Sequence, residues 1–344
     1  MTVRMKDIAQ QLDVSVATVS LALSGNPRIP EATRVRVVQT ARKMGYKLPH
    51  ERRMEAECLA IILADASGPM GNLYYEAING ILDEAMTAEV VLQITQSIPS
   101  KSTVRGNLLH ALRLNGAQGA IIIGGHLDTT TTKRFLEQDF PFICVGKREL
   151  PAARISWVAT DYMAGARQAV AHLIGLGHRR IALLAPQHQE HAWFQERVLG
   201  YRLALDEAGL APGPSLNWRD DADLPLSWPG DLIDAGVTAV LAIEHVLAAR
   251  FLTACAAVNV QVPENLALVG FDDVAGSANL NPPLTTVRQP MRELGSTAAR
   301  TLLSWLRGAQ QTPVQIRLQP ELVIRASCGA KMSRTTAEVV VGTQ

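Results

Sequence analysis

From Cys58 onward the chain alternates short apolar runs with longer stretches of helical spacing, and this constrains its fold more than any other feature. The runs are "CLAIILA" (58–64), "VVLQIT" (90–95), "GAIIIGG" (119–125), "PFICVG" (141–146), "RIALLA" (180–185), "VTAVLAI" (237–243) and "LALVGF" (266–271). A strand with one wet face alternates apolar and polar residues, whereas a strand apolar throughout is covered on both sides. The helical stretches between most runs supply that cover, which predicts parallel strands joined by crossover helices. Residues 59–330 are too many for one such sheet, so two α/β lobes are expected. No short-period repeat interrupts the pattern.

Residues 1–46 read differently, as three short helices. Ile8, Ala9 and Leu12 share a face of the first. Ser15 is a good N-cap for the second, in which Val19 and Leu23 lie one turn apart and point inward. "SGNP" (24–27) ends it. Pro30 suits the start of a third helix running from Glu31 to about Met44, with Gly45 as its stop. Residues 47–58, "KLPHERRMEAEC", read as a linker, and 331–344 as a loose tail.

Charge is unevenly spread. Residues 1–50 carry eight Lys/Arg against three acids, a net +5 within a chain whose total is +1. A basic head on a mildly acidic body suits an anionic partner for the head alone; an ordinary solvated helical surface explains the charge equally well. No apolar run approaches the ~20 residues of a membrane helix, and the N-terminus does not read as a signal peptide. Cys58, Cys144, Cys255 and Cys328 are scattered without a CxxC pair, which suits a reducing cytoplasm and argues against a zinc site or a disulfide framework. His126, His172, His178, His188 and His191 show no metal-ligand pattern. Asp161 and the Asp272/Asp273 pair are conceivable acid–base groups, but no nucleophile motif or phosphate loop accompanies them. No cofactor and no catalytic residue is expected.

Helix, tight turn and helix in a basic N-terminal segment point to a helix-turn-helix, whose second helix enters the DNA major groove; the bland alternative is a three-helix dimerisation module. Exposed positions on that helix are Val16, Ala17, Thr18, Ser20 and Leu21. Small side chains bring the backbone close to DNA. Thr18 and Ser20 suit phosphate, and Val16 and Ala17 suit thymine methyls.

The stretch "MKDIAQQLDVSVATVSLALSGNPRIPEATRVRVVQTARKMGY" resembles the head of the LacI/GalR family of bacterial transcriptional regulators. The segments "DYMAGARQAVAHLIGLGHRRIALL" (161–184), "RVLGYRLALDEAGL" (197–210), "VPENLALVGFDD" (262–273), "PPLTTVRQP" (282–290) and "LQPELVIRAS" (318–327) follow in family order. The resemblance implies a small all-α helix-turn-helix head and an α/β two-lobed, periplasmic-binding-protein-like body of parallel sheets flanked by helices. Lobe 1 would take approximately residues 59–158 and 288–316, and lobe 2 approximately 159–287 and 317–330, with three chain crossings between them. A homodimer would place two heads on a palindromic double-stranded operator, and a carbohydrate-like effector would bind between the lobes. A solute receptor using the body alone is the competing class; the basic head counts against it.

By position in the family motifs, Val16, Ala17 and Leu21 are expected to read bases. Ser15, Thr18, Ser20, Asn26, Arg28, Thr33 and Tyr46 would position the DNA backbone. Many relatives carry a polar or basic residue where this chain has Leu21, so specificity is expected to lean on methyl contacts and DNA shape. The hinge motif "YxPNxxAxxL" is also altered: Arg53 and Ala56 stand where Ala and Leu are usual. A leucine wedge into the minor groove is therefore not expected, and Arg52 and Arg53 are alternative phosphate contacts. In the cleft, the resemblance implies effector contacts from Leu73, Tyr74, Lys147, His191, Trp193, Arg197, Trp218 and Asp272. Glu244 and His245 replace the family's usual "ND" pair, so no contact is carried over there.

Overall fold

The structure, a computed structural model, describes residues 4–23, 29–44, 46, 57–64, 71–97, 108–124, 129–149, 154–187, 192–219 and 224–330. Asn26, Arg28, His191, the linker arginines and the tail fall outside these residues.

The head contains α1 (Met5–Leu12), α2 (Val16–Leu23) and α3 (Glu31–Lys43). Asp13 takes the left-handed conformation (φ 53°) and ends α1. Ser15 then caps α2: its hydroxyl accepts from the Thr18 amide at 2.9 Å, satisfying one of the donors a helix start leaves open. Ile8, Ala9, Val19, Ala22, Val37, Ala41 and Tyr46 form a separate small core.

The body holds two six-stranded sheets. The first is ordered β11-β5-β4-β3-β1-β2, using β1 (Cys58–Ala64), β2 (Val91–Ser97), β3 (Gly119–Gly124), β4 (Phe142–Val145), β5 (Trp157–Thr160) and β11 (Gln315–Leu318). All its pairs are parallel. Leu59, Ile61, Ile121, Ile123 and Ile143 pack against α4 (Gly71–Thr87) and α11 (Met291–Leu306). Ala60, Ile62, Ala120, Ile122 and Phe142 face the other way, towards α5 (Leu108–Leu114) and α6 (Thr129–Glu137). Burial on both sides is the physical reason these strands are apolar throughout.

The second sheet is ordered β12-β10-β9-β8-β6-β7, using β6 (Ile181–Pro186), β7 (Ser215–Trp218), β8 (Ala239–Ala242), β9 (Ala267–Asp272), β10 (Thr285–Arg288) and β12 (Glu321–Val323). Only β10–β12 is antiparallel. Ile181, Leu183, Val269 and Phe271 share a core with α7 (Tyr162–Gly175) and α8 (Ala192–Glu207). Ala182, Leu184, Val240 and Leu268 face α9 (Trp228–Asp234) and α10 (His245–Ala257). The chain passes between the sheets after Thr160, after Arg288 and after Leu318.

Two histidines of the second unit give it an acid-sensitive term. Burial lowers His172 and His178 from the ordinary value of 6.5, with Arg179 adding to the effect at His178. A group depressed in the fold takes up its proton more readily when unfolded, so its stabilising contribution is present above pH ~6.5 and is lost as pH falls through the folded value. The melting temperature is expected to drop between pH 7 and pH 5, and less so in a His172→Gln/His178→Gln variant.

Candidate functional site

On α2, Val16 and Leu21 are 48% and 38% exposed despite being apolar, and Ala17 and Ser20 lie exposed beside them. Val19 and Ala22, one step round the helix, fill the head core. The amphipathic split therefore leaves a face of small and aliphatic side chains outward. Ser15 and Thr18 hydroxyls meet at 2.8 Å, so these two groups organise the start of this helix. Thr33 is half-buried on α3, and Tyr46 is buried in the head core.

The two sheets meet at the C-terminal ends of their strands, the end at which α/β proteins bind ligands. Arg197, on the second turn of α8, is only 2% exposed. Its Nη2 donates to Asp272 Oδ1 at 2.7 Å and its Nη1 to the Ile243 carbonyl. Its Nε is buried with no hydrogen-bond partner. Its guanidinium lies 3.7 Å from the Phe271 ring centre, 4.7 Å from Trp193 and 5.1 Å from Tyr162. Asp272 ends β9 with φ 89°, a conformation unfavourable for a side-chain-bearing residue. It turns the carboxylate into a cluster in which Gln289 Nε2 also donates to Oδ1 at 2.7 Å. Gln289 Oε1 in turn accepts from Thr160 Oγ1 at 2.8 Å. A continuous chain of polar contacts thus runs from the first sheet's β5 to Arg197. Burial pushes the Tyr162 phenol up to about 12, opposed by Arg197 and Arg148 and reinforced by Asp272 and Tyr74, which places all five groups within electrostatic reach.

The cleft brings Arg197, Asp272 and Trp193 together. Tyr74 reaches it from the first unit, its ring packed over Gly124, whose φ of 87° and lack of a side chain make room for it. Lys147 is already paired: its ammonium contacts Glu149 and, next to Arg197, Glu196, each at 2.9 Å. Leu73 packs into the core between the first sheet and α4. Trp218 is buried with the α10 face of the second sheet, under Arg250 at 4.7 Å, on the side away from α8. Sequence alone does not single out Tyr162, Phe271, Glu196, Gln289 or Thr160; Tyr162, Phe271, Gln289 and Thr160 flank or lie within strand-end motifs, whereas Glu196 precedes the helical "RVLGY" segment. Among the described residues no group of His, Cys, Asp and Glu could hold a metal ion, and no helix is long and apolar enough to cross a membrane.

A helix-turn-helix head attached to two α/β units that meet at a polar, aromatic-walled cleft defines a DNA-binding regulator on a periplasmic-binding-protein-like body. Residues 4–48 match the model for bacterial regulatory proteins of the lacI family. Residues 56–220 match that for periplasmic binding proteins and the sugar binding domain of the LacI family, and residues 170–328 that for a periplasmic binding protein-like domain. The transcriptional regulator MalR of Streptomyces coelicolor is 30% identical over 95% of this chain and 97% of its own length. The transcriptional repressor CytR of Escherichia coli is 28% identical over 95% and 96%. A structure of the regulator CelR in complex with cellobiose superposes with a TM-score of 0.68 at 25% identity, covering 94% of this chain and 99% of that one. The chain belongs to the LacI family of bacterial transcriptional regulators, which are not enzymes.

Proposed function

We propose that the protein is a repressor that binds a palindromic operator as a homodimer and is controlled by a carbohydrate-like small molecule held between its lobes. The observation that carries this reading is the Arg197–Asp272 pair, set among Phe271, Trp193 and Tyr162 where the two sheets meet. Aromatic walls with a few convergent hydrogen-bonding groups suit the faces and hydroxyls of a sugar. The CelR–cellobiose complex and the repressor CytR are similar proteins that support it. On DNA, the basic head should give an affinity that falls steeply with salt, through counterion release. Selection of a palindromic site from random duplexes, followed by affinity measured across a salt series, tests this; a flat salt slope would overturn it.

The α2 face supports a second expectation. Leu21→Arg places a bidentate donor among the exposed positions, and such a contact discriminates guanine by roughly 1–3 kcal/mol. Site selection should then enrich guanine at one symmetric pair of operator positions, with general affinity changing less. Identical preferred sequences for both proteins would remove Leu21 from the base-reading set.

For the dimer, α4 and the edge strand β2 present Tyr75 (67% exposed), Met86 (77%) and Ile94 (57%). An apolar edge of this kind calls for a covering partner, here the same surface of a second copy. Met86→Asp with Ile94→Asp should shift the protein from dimer to monomer in analytical ultracentrifugation and weaken operator binding at equal concentration.

A further inference from the structure

Beyond the cleft itself, one cluster ties the two sheet units together through charge. Glu196 projects from the first turns of α8 in the second unit, next in sequence to Arg197. Its carboxylate is gripped by two cations of the first unit. Arg317, on β11, forms a fork, with Nη1 to Oε2 at 3.0 Å and Nη2 to Oε1 at 2.9 Å. Lys147, in the segment after β4, donates to Oε1 at 2.9 Å. The Glu196 side chain is only 12% exposed, against 18% for Lys147 and 37% for Arg317. Burial by itself would lower Lys147; hydrogen bonds to Glu196 and Glu149 outweigh it and raise the ammonium. Arg317 also approaches Asp161 at 3.8 Å, and Gln319 reaches Asp161 at 3.4 Å. Asp161 and Gln319 belong to two of the three crossings, so the same network fastens the connecting segments.

We propose that Glu196 is an inter-lobe clamp: held by Lys147 and Arg317, it fixes the start of α8 against the first lobe and so positions Arg197 for the effector. Consecutive residues of one helix then face two ways, Glu196 to the opposite lobe and Arg197 to its own lobe's Asp272. A change in the angle between the lobes must move Arg197 or break the clamp. Forked arginine–carboxylate pairs are directional and stronger than single contacts, and Arg317, 37% exposed, leaves this one open to screening by salt. The role of the clamp in regulation rests on reading the cleft as an effector site; its existence as a clamp does not.

The test uses the full chain without effector, so that failure of the clamp is separable from failure of the effector reading. Spin labels are attached at Glu137→Cys on α6 and Gln168→Cys on α7, both exposed and in different lobes. The four native cysteines are buried, and burial raises the Cys144 and Cys255 thiols to about 11 and about 12, so the introduced thiols react first. Doubly labelled protomers are diluted into unlabelled protein, and the inter-label distance distribution is measured by pulsed electron resonance. Glu196→Gln should move population from the short to a longer or broader distribution, lowering the ratio of the two about fivefold to tenfold. Glu207→Gln, which breaks the exposed Arg167–Glu207 pair within the second unit, should leave it unchanged. Raising NaCl to about 1 M, where the Debye length is only ~3 Å, should shift the parent protein in the same direction and needs no substitution. Distributions for Glu196→Gln, or for the parent in high salt, that superimpose on the parent in low salt would overturn the proposal.

Discussion

Replacing Arg197 by methionine will leave a protein that holds its operator but no longer answers its effector. Arg197 is the largest fully buried side chain among the described residues, and its guanidinium carries the charge that balances Asp272. Without it, the Asp272 carboxylate keeps only the Gln289 amide at 2.7 Å and the distant His245 backbone N–H at 3.4 Å. Breaking one half of a buried pair costs about 3–5 kcal/mol, so the melting temperature will fall as well. A second substitution separates the two effects. Arg197→Met with Asp272→Asn removes both charges, keeps a residue type that tolerates a φ of 89°, and avoids the uncompensated buried charge that makes breaking one half of a pair costly. Stability should largely return in the double variant while the effector response stays lost, by a hundredfold or more in half-maximal concentration. Operator affinity without effector should change little, because the head has its own core, made only from residues of the first 46. Anisotropy titrations of labelled operator would measure this, with an effector first found by screening mono- and disaccharides for a rise in melting temperature. A normal effector response in the folded single variant would place Arg197 outside the site.

Gly295→Val should be the most disruptive substitution in the first lobe. Helices α4 and α11 cross so closely that a side chain on Gly295 would overlap the Ala77 carbonyl, and one on Gly80 the Arg292 carbonyl. Both obstacles are backbone, which cannot rotate away. Overpacking of this kind costs typically 1–3 kcal/mol and more where the backbone has to move. Separating the helices would also open the core of Ala77, Ile81, Leu294, Ala298 and Leu302 between them. Since α4 carries the proposed dimer face, operator binding should weaken together with stability. Gly230→Ala is the control: nothing lies within 4 Å of the added carbon, and Ala is favoured over Gly inside a helix by about 0.5–1 kcal/mol. Thermal melts of the two variants should move in opposite directions; equal melting points would show that the crossing tolerates a larger gap.

Much of this architecture was legible in the sequence, because local chemistry settles it. A run such as "CLAIILA" has to be covered on both faces wherever it sits, and β1 is covered by α4 and α11 on one side and by α5 and α6 on the other. Ser15 caps α2 through a hydrogen bond three residues away. Ordered motifs from 4 to 328 carried the family.

Other features were decided only by the tertiary structure. The edge strands β7 and β11 contain "SLNW" and "QIRL"; a strand with one partner and a wet face carries no apolar run, so its existence depends on the neighbour it pairs with. Trp218 lies on the α10 side of its sheet because successive strand residues point to opposite faces, and register alone chooses the face. Arg197 and Asp272 are separated by 75 positions, yet they satisfy one another across a 2.7 Å contact. Lys147 meets Glu196, 49 positions away, and so is paired across the two units. Residue type makes each of these groups available to bind a ligand. Whether a charged group faces the cleft or is held by another side chain depends on which distant segments the folded chain sets beside it, since a charge leaving water takes the nearest opposite partner available.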